Sequence, residues 1–390
     1  MSDKIYSYGK QIIEDDDIAV VVETLKGDWL TQGPSVSKFE EVLSKQLGTK
    51  YCTVTANGTA SLHLMAIGLG WQPNEVIITS PITFLASANC AMYVNSIPDF
   101  ADINPITYTI DPLEVEKRLH FHKKKNRKVR AIVGVDFAGH PCDWSALKEI
   151  ADLNNLQLIN DHCHAIGSVY NGDSHFASKY ADAVNLSFHP VKHLTSGEGG
   201  AIVTRHEWLD KKVKILRTHG MTKDPALLSR YDGLWYYEMV ELGFNYRITD
   251  FQCALGVSQL AKLNRFLDAR KKIAMYYDKA FSSDHRFVIP EVQQGCTHAY
   301  HIYALRIKFS ELKISKKIFF ERLRSKRIFC QVHYIPVHLQ PYYRTHFGFN
   351  EGDYPIAEQF YSEEVSIPCY PGLSETDLEY IVETIRAEAV

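Results

Sequence analysis

Short hydrophobic runs alternate with helix-like segments between Tyr51 and Thr204. Apolar runs of this length, bounded by polar or glycine-containing turns, are typical of buried strands, and their alternation with helices favours parallel strands joined by crossover helices. The pattern therefore predicts an α/β fold around a large, mostly parallel sheet, with ligands expected where the strands end at their carboxyl edge. Seven strands are predicted, at residues 51–56, 75–80, 97–103, 130–137, 156–161, 183–188 and 200–204.

The pattern changes near residue 250. Apolar residues recur every three or four positions from Asp250 to Phe281, which predicts one long helix that links two domains. Beyond it, strand-like runs at 301–307 and 331–337 flank a helical segment at 316–326, an α+β arrangement. We therefore predict a large domain over residues 1–250, and a linking helix with a smaller C-terminal domain over residues 251–390.

Composition excludes several function classes. The 390 residues are 45% hydrophobic and 23% charged, as expected of a folded globular protein, and the formal net charge is -3. The densest basic run, His120 to Arg130, is short, so nucleic-acid binding is not expected. Eight cysteines stand singly along the chain, which favours reduced thiols over disulfides or a zinc site. Because no apolar stretch is long enough for a membrane span or a signal peptide, we expect a cytoplasmic protein without a membrane partner.

Two residues at predicted strand ends suggest chemistry. Asp161 ends one strand, and Lys192 follows the next one, just before a glycine-rich turn. An isolated lysine is usually a solvated surface charge, so the argument depends on the pair. Both side chains can face one ligand at the carboxyl edge of the sheet. An aspartate paired with a protonated pyridine nitrogen, and a lysine amine that forms a Schiff base with an aldehyde, are what pyridoxal 5'-phosphate (PLP) requires.

The segment NGTASL, Asn57 to Leu62, lies between the first predicted strand and the start of a helix. Backbone N–H groups at such a position bind phosphate. Taken alone, the segment is equally consistent with an ordinary N-capping turn.

Histidines near these positions raise the alternative of a metal site. The run Asp161–His162–Cys163–His164 contains possible ligands, but alternate residues of a strand point to opposite faces, and no second cluster has matching spacing. We therefore predict no metal. His333 and His338 are interpreted as core or substrate-facing residues.

The order of motifs along nearly the whole chain resembles the DegT-type sugar aminotransferases. This resemblance implies the type I (aspartate aminotransferase) fold of PLP-dependent transferases, a homodimer, and PLP with glutamate as the amino donor. The motifs are TQGP (31–34), NGTASL (57–62), PITFLASAN (81–89), DHCHAIGS (161–168), SFHPVKHLTSGEGGA (187–201), RTHGM (217–221) and GFNYRITDFQCALG (243–256).

The resemblance implies roles for individual residues. Lys192 is the Schiff-base lysine and proton shuttle, and Asp161 keeps the pyridine nitrogen protonated. Phe84 matches the aromatic residue that stacks on the pyridine ring, and His164 lies beside the 3'-oxygen of the cofactor.

The same resemblance predicts how the cofactor phosphate is bound. Gly58, Thr59 and Ser187 match phosphate-binding positions, whereas Asn245 matches a residue that reaches the phosphate from the partner subunit. It therefore implies active sites shared between the two chains of a homodimer.

One branch of this family has histidine at the lysine position and dehydrates its sugar. Position 192 is lysine and His193 only follows it, which argues against dehydration. His162 and Cys163 depart from the small residues common after the aspartate in this family.

The C-terminal segment 331–348 most resembles the C4-transaminases of pseudaminic acid biosynthesis, which aminate a UDP-linked 4-keto-6-deoxy-N-acetylhexosamine. Tyr8, Thr31 and His333 are the predicted substrate-binding residues. Alternatives are a transaminase for a GDP- or TDP-linked keto sugar and a catalytically silent regulator, against which the intact Lys192 and Asp161 argue. A dinucleotide-binding enzyme is disfavoured because no GxGxxG follows the first strand.

Overall fold

The structure, a computed structural model, describes residues 4–390. Within that range it contains fourteen strands: β1 Tyr6–Ser7, β2 Tyr51–Thr55, β3 Val76–Thr79, β4 Ile97–Phe100, β5 Val129–Val135, β6 Gln157–Asp161, β7 Ala183–Ser187, β8 Gly200–Thr204, β9 Met221–Thr222, β10 Glu238–Met239, β11 Phe287–Val288, β12 Tyr303–Ile307, β13 Ile328–Phe329 and β14 Glu364–Ile367.

The same range contains fourteen α-helices: α1 Asp15–Lys26, α2 Pro34–Gln46, α3 Gly58–Gly68, α4 Leu85–Met92, α5 Pro112–Lys124, α6 Trp144–Asn154, α7 Phe176–Tyr180, α8 Glu207–Arg217, α9 Asp250–Ala261, α10 Leu263–Phe281, α11 Lys316–Ser325, α12 Pro341–Phe347, α13 Pro355–Glu363 and α14 Glu375–Glu388.

The seven predicted strands form one sheet in the order β2-β8-β7-β6-β5-β3-β4. The five strands β3 to β7 all run parallel to one another. Strand β8 is antiparallel to both of its neighbours, β7 and β2. The predicted α/β class with a mixed, mostly parallel seven-stranded sheet is confirmed.

Both faces of this sheet are buried, which explains the continuous hydrophobic runs in the sequence. In β5, Ile132 packs in a core with Trp144 of α6, while its neighbour Val133 packs on the opposite face in a core with Met65 of α3. Alternate residues of a strand point to opposite faces, so a strand covered on both sides needs apolar residues at nearly every position.

A second hydrophobic core lies around the three-stranded antiparallel sheet β11-β12-β14. Tyr277 of α10, Phe319 of α11 and Ile381 of α14 are buried in it. This arrangement has the α+β character expected of the C-terminal part. The boundary at residue 250 stays a prediction.

The single helix predicted over 250–281 is wrong, because Lys262 separates α9 from α10. The backbone N–H of Lys262 bonds to the carbonyl of Gln259, three residues back, at 3.0 Å, so the regular four-residue ladder ends there. Apolar periodicity continues on both sides of the break, and for this reason the sequence pattern did not reveal it.

In the part of the chain that the structure describes, no helix combines the length and the apolar character needed to cross a membrane. The cytoplasmic location stays a prediction.

Candidate active site

A cavity of about 1090 Å³ opens at the carboxyl ends of the central strands. Asp161 at the end of β6 and Ser187 at the end of β7 reach it together because these strands are neighbours in the sheet. Nine of the eleven predicted site residues line this cavity: Tyr8, Gly58, Thr59, Phe84, Asp161, His164, Ser187, Lys192 and His333.

The Asp161 carboxylate is held by side chains from two other elements. Ser87 of α4 donates its hydroxyl to Asp161 Oδ2 at 2.6 Å, and the Asn185 amide of β7 donates to Oδ1 at 3.2 Å. Asp161 is buried, so these bonds offset part of the cost of removing a carboxylate from water. They also fix the direction in which the charge faces the cavity.

Lys192 lies on the loop after β7, with its ammonium group at the cavity. Among residues 4–390, its Nζ has no hydrogen-bond or ion-pair partner within bonding distance. Burial lowers the pKa of Lys192, and the nearby Cys163 and Asp161 oppose this shift. A lysine in such surroundings is more readily neutral, and therefore nucleophilic, than one on the surface.

The N-terminus of helix α3 points toward the same cavity. Asn57 caps the helix by accepting the N–H of Ala60 at 2.8 Å, whereas the first-turn N–H groups of Gly58 and Thr59 have no carbonyl partner within the helix. A Cβ at Gly58 would lie 3.1 Å from Cβ of Ser187, so glycine permits the close approach of these two segments. The site therefore presents N–H groups, a helix dipole and the Ser187 side chain to an anion.

His164 is held in one tautomer by its surroundings. The N–H of Ala138 donates to His164 Nδ1 at 3.3 Å, so the ring proton lies on Nε2, which is 3.2 Å from the Tyr334 hydroxyl. Burial lowers the pKa of His164 well below its usual value, and the charge of Lys192 adds to this effect. His164 is therefore neutral at neutral pH.

Phe84 is the N-cap residue of α4, and its side chain is 57% exposed on the cavity side. Its ring centroid is 6.1 Å from that of Tyr334. An aromatic ring this exposed is available to stack on a planar ligand.

The segment 331–337, predicted as a strand, forms only an isolated bridge between Gln331 and Ser366. That strand prediction is wrong. The N–H of His333 donates to the buried Glu364 carboxylate at 2.9 Å instead of to a neighbouring strand. The irregular backbone brings both His333 and Tyr334 to the cavity, where the ring of Tyr8 lies 4.9 Å from that of His333.

Thr31 and Asn245 are the two predicted site residues that do not line the cavity of this single chain. Thr31 forms an isolated β-bridge with Thr249, and Asn245 forms one with Thr218. Their predicted roles are not tested by these positions.

Three residues that contact the site were not singled out from the sequence. Ser87 and Asn185 orient Asp161, and Tyr334 contacts His164. Ser87 lies inside a recognised motif and Asn185 inside a predicted strand, but their side chains meet Asp161 across 74 and 24 residues, which no local pattern reveals.

A cluster of possible metal ligands lies elsewhere. Among the described residues, Glu14, Asp16 and Asp17 bring three carboxylates close together. Lys262 Nζ lies 2.5 Å from Asp16 and 2.9 Å from Asp17, so a lysine cation already neutralises much of this charge. The cluster has the character of an ion-pair network.

Comparison with known proteins gives a family and close structural relatives. The family described as DegT/DnrJ/EryC1/StrS aminotransferase matches residues 11–386. A UDP-4-amino-4,6-dideoxy-N-acetyl-beta-L-altrosamine transaminase of Campylobacter jejuni is 36% identical over 97% of this chain and 96% of its own.

Solved structures agree with this similarity. Helicobacter pylori PseC, an aminotransferase involved in the biosynthesis of pseudoaminic acid, superposes with a TM-score of 0.91 at 30% identity, over 99% of both chains. The PLP form of the sugar aminotransferase Spr1654 from Streptococcus pneumoniae, named as putative, superposes with a TM-score of 0.88 at 26% identity, again over 99% of both chains. The predicted type I fold is therefore confirmed.

Proposed function

This chain belongs to the DegT/DnrJ/EryC1/StrS aminotransferase family, and we propose that it transfers an amino group from glutamate to a UDP-linked 4-keto-6-deoxy sugar. It is a PLP-dependent aminotransferase. The observation that carries the proposal is the convergence of the unpartnered Lys192 amine and the oriented Asp161 carboxylate on one large cavity.

The residues present fit PLP. The chemistry of the cofactor calls for an amine to bind its aldehyde, a carboxylate to bind its ring nitrogen and an anion site for its phosphate. Lys192, Asp161 and the N-terminus of α3 supply these three groups around the same cavity. Because Gly58 has no Cβ to fill the space next to Ser187, a phosphate has room to bind the backbone N–H groups there.

When bound, PLP supplies an electron sink that stabilises negative charge on the carbon that loses a proton. Lys192 would hold the cofactor covalently, and when its amine is free it would accept and return protons at Nζ. Asp161 would pair with the ring nitrogen, since Ser87 and Asn185 hold its carboxylate toward the cavity. Phe84 would cover one face of the ring, and His164 would lie beside the 3'-oxygen.

The substrate assignment is supported by sequence similarity and by the shape of the site. The Campylobacter jejuni and Helicobacter pylori proteins named above cover nearly the whole chain. The cavity extends from Lys192 to Tyr8 and His333, which are the residues proposed to bind the sugar nucleotide. Its volume, about 1090 Å³, exceeds what the cofactor alone needs.

A direct assay tests this proposal. The purified protein with PLP and glutamate is incubated in turn with UDP-, GDP- and TDP-linked 4-keto-6-deoxy sugars, and the products are identified by mass. We expect amination of the UDP-linked N-acetylated sugar, with 2-oxoglutarate formed in equal amount. Preference for a GDP- or TDP-linked sugar would overturn the proposed substrate, and the absence of glutamate turnover would overturn the proposed donor.

We propose further that the enzyme is a homodimer with shared active sites. A hairpin formed by β9 and β10 carries several large apolar side chains in solvent, including Leu234, which is 89% exposed, and Trp235, which is 74% exposed. Exposed apolar groups in one segment are typical of a surface that another chain covers. Asn245 lies just beyond this hairpin and outside the cavity of its own chain, which supports its assignment to the site of the partner.

Complementation between two inactive variants tests the shared site. A Lys192→Ala chain is co-expressed with a chain in which Asn245 and Arg247, both in the motif at 243–256, are replaced by alanine. In a mixed dimer, one site carries both defects and the other carries neither. We expect about a quarter of wild-type activity, since random pairing makes roughly half of the dimers mixed, with one intact site of two.

The matched control is Lys192→Ala co-expressed with Asp161→Ala. Both of these residues serve the cavity of their own chain, so each site of that mixed dimer keeps one defect and no activity returns. Mixed dimers of the Asn245 pair without recovered activity would show that Asn245 serves its own chain.

A further inference from the structure

A buried chain of hydrogen bonds lies behind His333, on the side away from the cavity. His333 Nδ1 is 2.7 Å from Ser366 Oγ, and the Ser366 hydroxyl donates to Glu364 Oε1 at 2.5 Å. Glu364 Oε2 also accepts the backbone N–H of His333 at 2.9 Å. Glu364 and Ser366 are fully buried on β14.

The direction of these bonds follows from the number of donors. Each of the two oxygens of ionised Glu364 accepts one of these hydrogen bonds, from the Ser366 hydroxyl and from the His333 N–H. Because Ser366 uses its only proton on Glu364, its oxygen accepts from His333. The His333 ring must then carry its proton on Nδ1.

Burial shifts the pKa values of Glu364 and His333 in opposite directions, and nearby charges modify both shifts. Burial raises the pKa of Glu364 to about 7, while the hydrogen bond from Ser366 and the ammonium group of Lys316 oppose that rise. Burial lowers the pKa of His333 to about 3, and the charge of Lys192 contributes to this shift. The His333 ring is therefore neutral at neutral pH, with one nitrogen protonated and one free to accept.

The unprotonated ring nitrogen of His333, Nε2, is available to a ligand in the cavity. His333 lines it, and within residues 4–390 no group bonds to His333 Nε2. His164, by contrast, carries its ring proton on Nε2. His164 and His333 thus present opposite hydrogen-bonding character, His333 as an acceptor and His164 as a donor.

We propose that Glu364 and Ser366 are positioning residues that hold His333 with its proton on Nδ1, so that Nε2 accepts a hydrogen bond from an O–H or N–H group of the sugar nucleotide. This inference rests on the proposed function for the identity of the donor. A ligand that presents only a carbonyl or ether oxygen at this place would leave the acceptor of His333 unsatisfied and would bind less well.

The tautomer of His333 is measurable without turnover. Nitrogen-15 NMR of the full-length holoenzyme with labelled histidine distinguishes the two ring nitrogens, and the signal that is lost in His333→Gln identifies the residue. We expect a protonated Nδ1 and an unprotonated Nε2 in the wild-type enzyme. Protonation at Nε2 would overturn the proposal, even if the enzyme aminates the expected sugar.

Kinetics of Ser366→Ala supply the second measurement. We expect the KM for the sugar nucleotide to rise by about tenfold, the usual effect of one lost hydrogen bond, with a smaller change in kcat and no change in the KM for glutamate. His333→Gln should have a similar effect, and the double variant should be no worse than either single variant. The matched control is Ser362→Ala, an exposed serine on α13, which should behave as wild type.

Additive effects of Ser366→Ala and His333→Gln, or an unchanged sugar KM in a folded Ser366→Ala enzyme, would overturn the proposal. If Ser366→Ala does not fold, Glu364→Gln takes its place, because it preserves side-chain size while replacing one acceptor oxygen with a donor group. If no nucleotide sugar is aminated at all, the proposed function fails, while the NMR measurement still decides whether His333 carries its proton on Nδ1.

Discussion

Lys192→Ala is expected to abolish transamination, with a loss of at least about four orders of magnitude in kcat. The variant loses the amine that is proposed to hold the cofactor and to move protons at the reacting carbon. Among residues 4–390, Lys192 is the one lysine that lines the cavity, and its amine has no bonding partner there. No bond within the protein therefore has to be broken for the amine to react. We expect the variant to keep its fold, because the Lys192 side chain forms no hydrogen bond to a neighbouring element within residues 4–390.

Two measurements check this result. Steady-state assays give the loss of activity. Borohydride reduction followed by digestion and peptide mass analysis should find the cofactor on the peptide that contains residue 192 in the wild-type enzyme only. Lys45→Ala, which removes an exposed lysine on α2, is the matched control and should retain activity. Normal turnover by a folded Lys192→Ala enzyme would refute the assignment.

Asp161→Asn is expected to slow transamination by roughly two to three orders of magnitude, which corresponds to about 3–4 kcal/mol at a reacting centre. Asparagine keeps the shape of the side chain but removes the charge that is proposed to keep the ring nitrogen protonated. The hydrogen bonds from Ser87 and Asn185 place this charge at the cavity, so the effect should appear mainly in kcat.

Absorbance and circular dichroism show whether the Asp161→Asn protein still binds PLP and keeps its fold. Ser87→Ala is a useful comparison, because it leaves the charge of Asp161 in place and removes only one orienting bond at 2.6 Å. Its loss should be closer to tenfold. A loss below tenfold for Asp161→Asn would indicate that the carboxylate has a structural role.

Local sequence pattern determined most of the strands and the principal site residues. The seven apolar runs predicted strands that all appear in one sheet, since a strand buried on both faces must be apolar at nearly every position. Asp161 and Lys192 were recognisable because Asp161 ends one predicted strand and Lys192 lies on the loop after the next one. The carboxyl ends of adjacent strands meet at one edge, and this geometry brings the two residues to one cavity.

Tertiary structure alone decided how these elements pair and how the site is completed. The antiparallel position of β8 between β2 and β7 leaves no mark in the sequence, because buried strands have the same composition in either direction. The break at Lys262 is hidden in the same way by apolar periodicity on both sides. The bonds between Ser87 and Asp161 and between His333 and Ser366 join residues 74 and 33 positions apart. Such contacts depend on the packing of whole elements, and a pattern that extends over one helix or strand contains no information about them.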